Sequence, residues 1–319
     1  MGVEKGCTMS NNTLVKKKKK HSMWHGTTPG DKVFLCIVYG TIILICLACI
    51  YPLYLTIIAS VSEPNDVFNG KVNILPSGFT LEAYTHVFQN QKIWVGYSNS
   101  LFYTVVGTMF NLFLTIPTAY ALSKKRMYGR SFLTTLFLIT MYFGGGLIPT
   151  YILFRNLGLI NTRWILIVNG GMSVYNIVVT RTYFQNNIPE TLFEAARIDG
   201  AGEFLVFFKL VLPLSAPIIA VMTLYYAVGH WGSWFSAMIY TFDPDLQPLQ
   251  LVLRGILLKS EDMESITDPE LLAEAQRQAR RALVMKYSVV FIASAPMLIA
   301  YPFVQKHFVK GVMVGSLKG

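Results

Sequence analysis

The chain alternates between long stretches that contain no Asp, Glu, Lys or Arg and short stretches that collect the charge. Six charge-free windows stand out, at residues 33–62, 93–123, 131–154, 164–180, 210–242 and 287–305. A helix of about 20 residues, with roughly 17 to 25 tolerated through tilt, crosses a hydrocarbon core of about 30 Å. The windows therefore predict six transmembrane helices, near 33–60, 94–122, 131–154, 164–182, 213–240 and 283–305. Pro52 is tolerable within the first because neighbouring helices can compensate a missing backbone bond in lipid. In the third, Gly144-Gly145-Gly146 followed by Pro149 favours close approach of a neighbouring backbone over a substrate-facing break.

The polar stretches read differently from one another. Residues 61–92 carry the turn clusters Glu63-Pro64-Asn65-Asp66 and Leu75-Pro76-Ser77-Gly78. Residues 241–282 form the longest connection, and Pro269 to Met285 places Leu271, Leu272, Ala275, Ala279 and Leu283 at helical spacing, which predicts an amphipathic surface helix. Residues 1–31 are Lys-rich without periodicity and are expected to be disordered. The organisation is thus a 1–31 tail, a 32–308 transmembrane domain with an internal loop at 186–213, and a 309–319 tail.

Composition supports a membrane protein. Of 319 residues 53% are apolar and 14% charged, too few charges to cover a soluble protein of this size. With six spans both termini lie on one face. That face collects 17 basic and 6 acidic residues, a net +11, whereas the other has 10 basic and 11 acidic, a net −1. The positive-inside rule puts both termini in the cytoplasm. A net charge of +10 and the run Lys16 to Lys20 could suggest nucleic-acid binding. The run instead precedes the first span, where lysines set topology and meet anionic headgroups of the bilayer. Val33 to Ser60 is too long for the core of a cleaved signal peptide.

The energy source is constrained by what the spans lack. Ion-coupled carriers usually keep ionisable groups inside the membrane, yet apart from Tyr and Cys the windows hold only His230. Beside Trp231 and Trp234, a single histidine reads as a hydrogen-bonded packing residue. No Gly-x-x-x-x-Gly-Lys-Ser/Thr phosphate loop occurs. Active transport by this chain would draw its energy from another subunit. Cys7, Cys36, Cys46 and Cys49 offer no external disulfide and no metal spacing, and read as small apolar residues.

One cytoplasmic loop is more than a connector. Asn187-Ile188-Pro189-Glu190 leads into Glu194-Ala195-Ala196-Arg197-Ile198-Asp199-Gly200. Proline and acids suit a helix start and Gly200 its stop, predicting a short helix at 189–199. A second, from Glu203 to Val211, turns through Leu212-Pro213 into the fifth span. Two angled helices make a projecting knob, in which Ala195 and Ala196 allow close docking and Glu194, Arg197 and Asp199 supply polar contacts; the bland alternative is an amphipathic surface helix.

These residues resemble the cytoplasmic signature E-A-A-x3-G-x9-I-x-L-P of bacterial ATP-binding-cassette importer permeases. Glu194-Ala195-Ala196, Gly200, Leu210, Leu212 and Pro213 occupy its positions, with Leu210 in place of isoleucine. The likeness extends from the first span to the end and is nearest to the carbohydrate-uptake branch, the MalG-like and LplC-type polysaccharide permeases. It implies an all-α type I importer permease fold in a bacterial plasma membrane, with no enzymatic activity and no cofactor of its own. It also implies that Glu194, Ala195, Ala196, Asp199, Gly200, Leu212 and Pro213 couple to two ATPase subunits that bind ATP and Mg. A tail carrying Lys310, Gly311, Gly315 and Lys318 would reach those subunits. A second, similar permease and an external sugar-binding protein complete the implied assembly.

A sugar path needs aromatic platforms with scattered hydrogen-bonding groups. Candidates are Tyr142, Asn176, Tyr225, Tyr226, His230, Trp231 and Trp234, with Tyr151, Asn169 and Tyr175 nearby, although Trp and Tyr are also common at membrane interfaces and in packed cores. Competing readings are an ion-coupled secondary carrier and a membrane receptor or assembly protein without transport.

Overall fold

The computed structural model describes residues 28–261, 285–299 and 301–302. Among these the regular structure is helical throughout. By contacts the chain divides at Tyr54 and Leu55 into two units. The first is most of helix α1 (Pro29–Ser60), whose apolar side chains, such as Val33, Ile42, Leu44 and Leu53, are exposed around the helix. A helix apolar all round suits lipid rather than water. Pro52 lies inside it, as expected.

The second unit begins with the last turns of α1, from Leu55. Ser60 bonds through its hydroxyl to the Ile57 carbonyl and to Tyr84. Short helices α2 (Pro64–Phe68) and α3 (Glu82–Gln89) punctuate the 61–90 connection. The organising element is α4 (Gln91–Ser123), 33 residues long, started by the Asn90 side chain accepting from the Lys92 amide. Its buried stripe runs Gly96, Asn99, Ser100, Tyr103, Gly107, Asn111, Thr115 and Ala119, small or polar residues at helical spacing. Helices in lipid associate through small residues and interhelical hydrogen bonds, since apolar side chains are equally content in the bilayer.

The third window departs from the expected single span. It folds as α5 (Arg130–Tyr142) and α6 (Leu147–Asn156), bent by 113° across Phe143 to Gly146. Among the described residues, nothing lies within 4 Å of where a Cβ at Gly144 or Gly146 would sit. Gly146 has φ 86° and ψ 175°, a region open to glycine. The fourth window is also interrupted. Helix α7 (Ile165–Val168) stops at Asn169 to Ser173, and α8 (Val174–Asn187) restarts with the Ser173 hydroxyl accepting from the Asn176 amide.

Pro189 caps α9 (Glu190–Ile198), and Gly200, at φ 75°, ends it in the left-handed conformation. Helix α10 (Glu203–Val206) continues through a π-turn at Phe207–Val211 into α11 (Leu212–Leu214). A 79° bend at Ser215 separates this run from α12 (Ala216–Trp231), and Gly232-Ser233 separates α12 from α13 (Trp234–Tyr240). The single helix expected at 213–240 is therefore divided among the end of α11, α12 and α13.

Helix α14 (Leu249–Glu261) was not anticipated in the 241–282 connection. The amphipathic helix expected from Pro269 lies, but for Met285, outside the described residues. The last window contributes α15 (Met285–Ile299). By length and composition α1 and α4 can each cross a membrane, and the bent pairs α5 with α6 and α10–α11 with α12 qualify when each is taken together.

Candidate functional site

Three groups of bonds attach successive levels of α4 to the rest of the second unit. At its start, Asn99 Nδ2 donates to the carbonyls of Asp245 (2.7 Å) and Gln247 (3.2 Å), and Tyr103 Oη donates to the Leu246 carbonyl (2.8 Å). The Ser100 hydroxyl accepts from the Leu249 amide. The 243–249 connection is thereby pinned to the N-terminal part of the helix.

Midway, Asn111 donates to the carbonyls of Gly170 and Gly171, at 2.9 and 2.8 Å, where the α7 to α8 interruption has freed them. Its Oδ1 pairs with His230 Nε2 at 2.6 Å, and one turn on Thr115 pairs with the Tyr226 hydroxyl, also at 2.6 Å. Gly107 makes room: a Cβ there would sit 2.5 Å from the His230 ring. His230 is thus buried and hydrogen-bonded. Beside it lies a cavity of about 320 Å³ lined by Asn169, Gly170, Tyr226, His230, Ser233 and Ser236, among others.

The aromatic candidates do not act as one group. Tyr226 and His230 are buried and line this cavity, whereas Trp231 is buried elsewhere, donating to the Ala293 carbonyl at 3.0 Å and packing edge-on against Tyr97. Asn176 is buried on α8 but does not line the cavity, nor do the exposed Tyr225 and Trp234. Tyr142 is 75% exposed beside the α5 to α6 break. Asn169, one of the nearby residues, does line the cavity and donates to Ser236. Tyr151 stacks on Tyr240 outside it.

The C-terminal end of α4 carries the third group. Lys124 caps the helix with its side chain 19% exposed, its ammonium 3.3 Å from the Phe193 ring centroid, 4.6 Å from that of Tyr120 and 3.7 Å from Glu203. Tyr120 Oη donates to Glu203 Oε2 at 2.9 Å, and Arg197 pairs with Glu203 Oε1 at 3.5 Å. Lys125 pairs with Glu190 at 3.0 Å in the open. Burial pushes the Lys124 ammonium below its ordinary value, partly offset by Glu203. At Glu203 burial is the largest influence and acts upward, but the Tyr120 hydroxyl, Lys124 and Arg197 together hold the carboxyl below its ordinary value. Glu190 is held down first by its bond from Lys125.

Above this network the motif residues divide in two. Glu194 and Ala195 on α9 and Asp199 and Gly200 directly after it are exposed, and Glu194 also faces a cavity of about 360 Å³ between α9 and the end of α4. Ala196 and Leu212 are half-buried against the core of Tyr120, Phe184, Phe207 and Met222, while Pro213 is exposed. The knob also presents Ile198 and Phe204, 87% and 83% exposed. Lys310, Gly311, Gly315 and Lys318 lie outside the described residues. Sequence reasoning missed Asn111, Thr115 and Lys124; the first two sit on the buried polar stripe of α4, a visible signal, whereas Lys124 looked like one base among several.

Fold and site together define an all-helical membrane transport component. Residues 93–314 match the family described as binding-protein-dependent transport system inner membrane component, and the chain belongs to that family. It is 36% identical over 289 residues to the polygalacturonan/rhamnogalacturonan transport system permease protein YtcP of Bacillus subtilis, covering 91% of this chain and 99% of that one. Protein LplC of the same organism is 41% identical over 246 residues, covering 77% and 81% of the two chains. Among solved structures, a chain of a bacterial ABC transporter involved in the import of the acidic polysaccharide alginate superposes with a TM-score of 0.79 at 29% identity, covering 88% of this chain and 99% of that one. The chain is thus a transporter permease subunit, and the ion-coupled carrier falls away.

Proposed function

We propose that this permease carries an oligosaccharide or related carbohydrate across the bacterial plasma membrane, with both termini in the cytoplasm. The named substrates of its relatives support the carbohydrate, and the cavity beside Tyr226 and His230 combines an aromatic ring with hydroxyl, amide and imidazole groups suited to sugar hydroxyls and C–H faces. A sugar-binding protein delivers the substrate from outside. A second, similar permease completes the path, because one set of six helices is small for a saccharide channel. ATP and Mg are handled by two separate ATPase subunits, and this chain holds no cofactor.

The observation that carries the coupling role is the form of the loop: two short angled helices at the cytoplasmic end of α4, with Glu194, Ala195, Asp199 and Gly200 facing outward on α9 and directly after it. Ala196, Leu212 and Pro213 set the knob on its base, and the tail bearing Lys310, Gly311, Gly315 and Lys318 adds contacts to the ATPase. Glu194→Ala and Gly200→Val are expected to abolish uptake and recovery of the ATPase with the permease, while leaving the chain in the membrane. Gly200→Val carries a β-branched side chain into the left-handed region and misaims the helix end. Normal uptake in both variants would refute the assignment.

A further inference from the structure

We infer that Lys124 is a positioning residue that fastens the α9 and α10 knob to the end of α4, so that movement of the knob is delivered to the membrane core. The inference rests on the coupling reading above and adds the joint through which coupling passes. The ammonium meets three elements at once: the Tyr120 ring on α4, the Phe193 ring on α9 and the Glu203 carboxylate on α10, at 4.6, 3.3 and 3.7 Å. Glu203 is in turn bonded by Tyr120 and paired with Arg197 near the end of α9. A cation between aromatic faces with a carboxylate beside it is worth more when desolvated than an open ion pair.

The other side of the joint leads into the membrane. The same unbroken helix that Lys124 caps carries Thr115 and Asn111, which hold Tyr226, His230 and the 170–171 carbonyls, and beyond them Asn99, Ser100 and Tyr103, which hold the 245–249 backbone. A displacement of α9 transmitted to Lys124 therefore reaches the cavity along one continuous helix, past Pro117, which lies inside it between the joint and Thr115. Lys125, a neighbour of equal charge, differs: its pair with Glu190 is 75% and 64% exposed and joins rim to rim, where such pairs contribute little.

The test uses the purified complex of both permeases and the ATPase subunits, with the native cysteines replaced and Ser233→Cys as a reporter on the cavity wall. Labelling by a charged maleimide is compared with and without ATP and vanadate, alongside ATP hydrolysis. Lys124→Met retains an apolar arm between the rings and removes the charge. It should keep ATP hydrolysis and recovery of the ATPase within about twofold while cutting the ATP-dependent change in labelling about tenfold, the size of an ordinary coupling loss. Lys124→Arg should restore the change, and Lys125→Met should leave it intact. An unaltered labelling response in Lys124→Met, a loss equal to that in Lys125→Met, or a parallel fall in hydrolysis and response that Lys124→Arg does not restore would overturn the inference. Failure of the coupling reading itself looks different: the parent complex shows no ATP-dependent labelling change, or Glu194→Ala leaves ATPase recovery untouched.

Discussion

At the scale of single residues, the arrangement depends on where a side chain is missing as much as on where one is present. Gly107 has an ordinary helical backbone but faces the His230 ring so closely that any Cβ collides, and the ring is held by Asn111 and cannot step aside without breaking that bond. Gly107→Ala should therefore cost about 1–3 kcal/mol of overpacking and lower the melting midpoint in detergent. Gly229→Ala, one residue before His230 with open space around it, should not. Asn111→Leu tests the same cluster from the other partner. It strips two carbonyls of their donor at about 1–3 kcal/mol each, a loosening of the turn that ought to appear as faster hydrogen exchange at the Gly171 amide, which bonds the Val168 carbonyl. Equal melting of Gly107→Ala and Gly229→Ala would show that the histidine can move.

At the scale of elements, two predictions concern breaks and docking. Gly146→Ala forces an L-residue into a glycine-only conformation, at about 1–3 kcal/mol, and should straighten or unsettle the α5 to α6 bend. Gly145→Ala, with only Pro149 Cβ at 3.9 Å and no positive φ, should be tolerated. For α9 and α10 the variable is pH. Glu190 and Glu203 titrate below their ordinary 4.5 in the folded chain, so the stability they lend is present above that value and is lost as pH falls through the lowered ones. Protection factors of the α9 and α10 amides, which are exchange corrected for its intrinsic pH dependence, should fall below about pH 4 and stay flat from about pH 5 to 8, with those of the α4 amides unchanged throughout. The sequence announced the short loop helices more accurately than the spans, and the reason is physical. Pro189, Glu190 and Gly200 act locally, whereas a charge-free window reports only that a segment is at home in lipid. It does not say whether the backbone runs straight, so the interruptions at 169–173 and 232–233 were invisible, and the one at 143–146 was legible in Gly144 to Gly146 and Pro149 only as the second reading. The period of Leu249, Val252, Leu253 and Ile256 was legible but lay in a connection read for its later half.

At the scale of the whole molecule, two arguments made independently meet on α4. The charge count groups the 124–130 turn with the 181–209 loop on one membrane face, and the structure joins these two segments through Lys124, Lys125, Glu190 and Glu203 at one end of α4. The 243–249 connection, on the face with net −1, is bonded to the opposite end of the same helix. The orientation proposed for the chain puts the +11 face in the cytoplasm, and it can be read chemically. In a chain with its native cysteines replaced, Tyr128→Cys, at a fully exposed turn position, and Leu75→Cys, 74% exposed in the 61–90 connection, report on opposite sides. A membrane-impermeant maleimide should label Leu75→Cys in spheroplasts and reach Tyr128→Cys only after permeabilisation. The reverse pattern would turn the molecule over and put the α9 knob outside, beyond the reach of ATP. Because the labelling depends on neither substrate nor partner, it separates an error of topology from an error about what is carried.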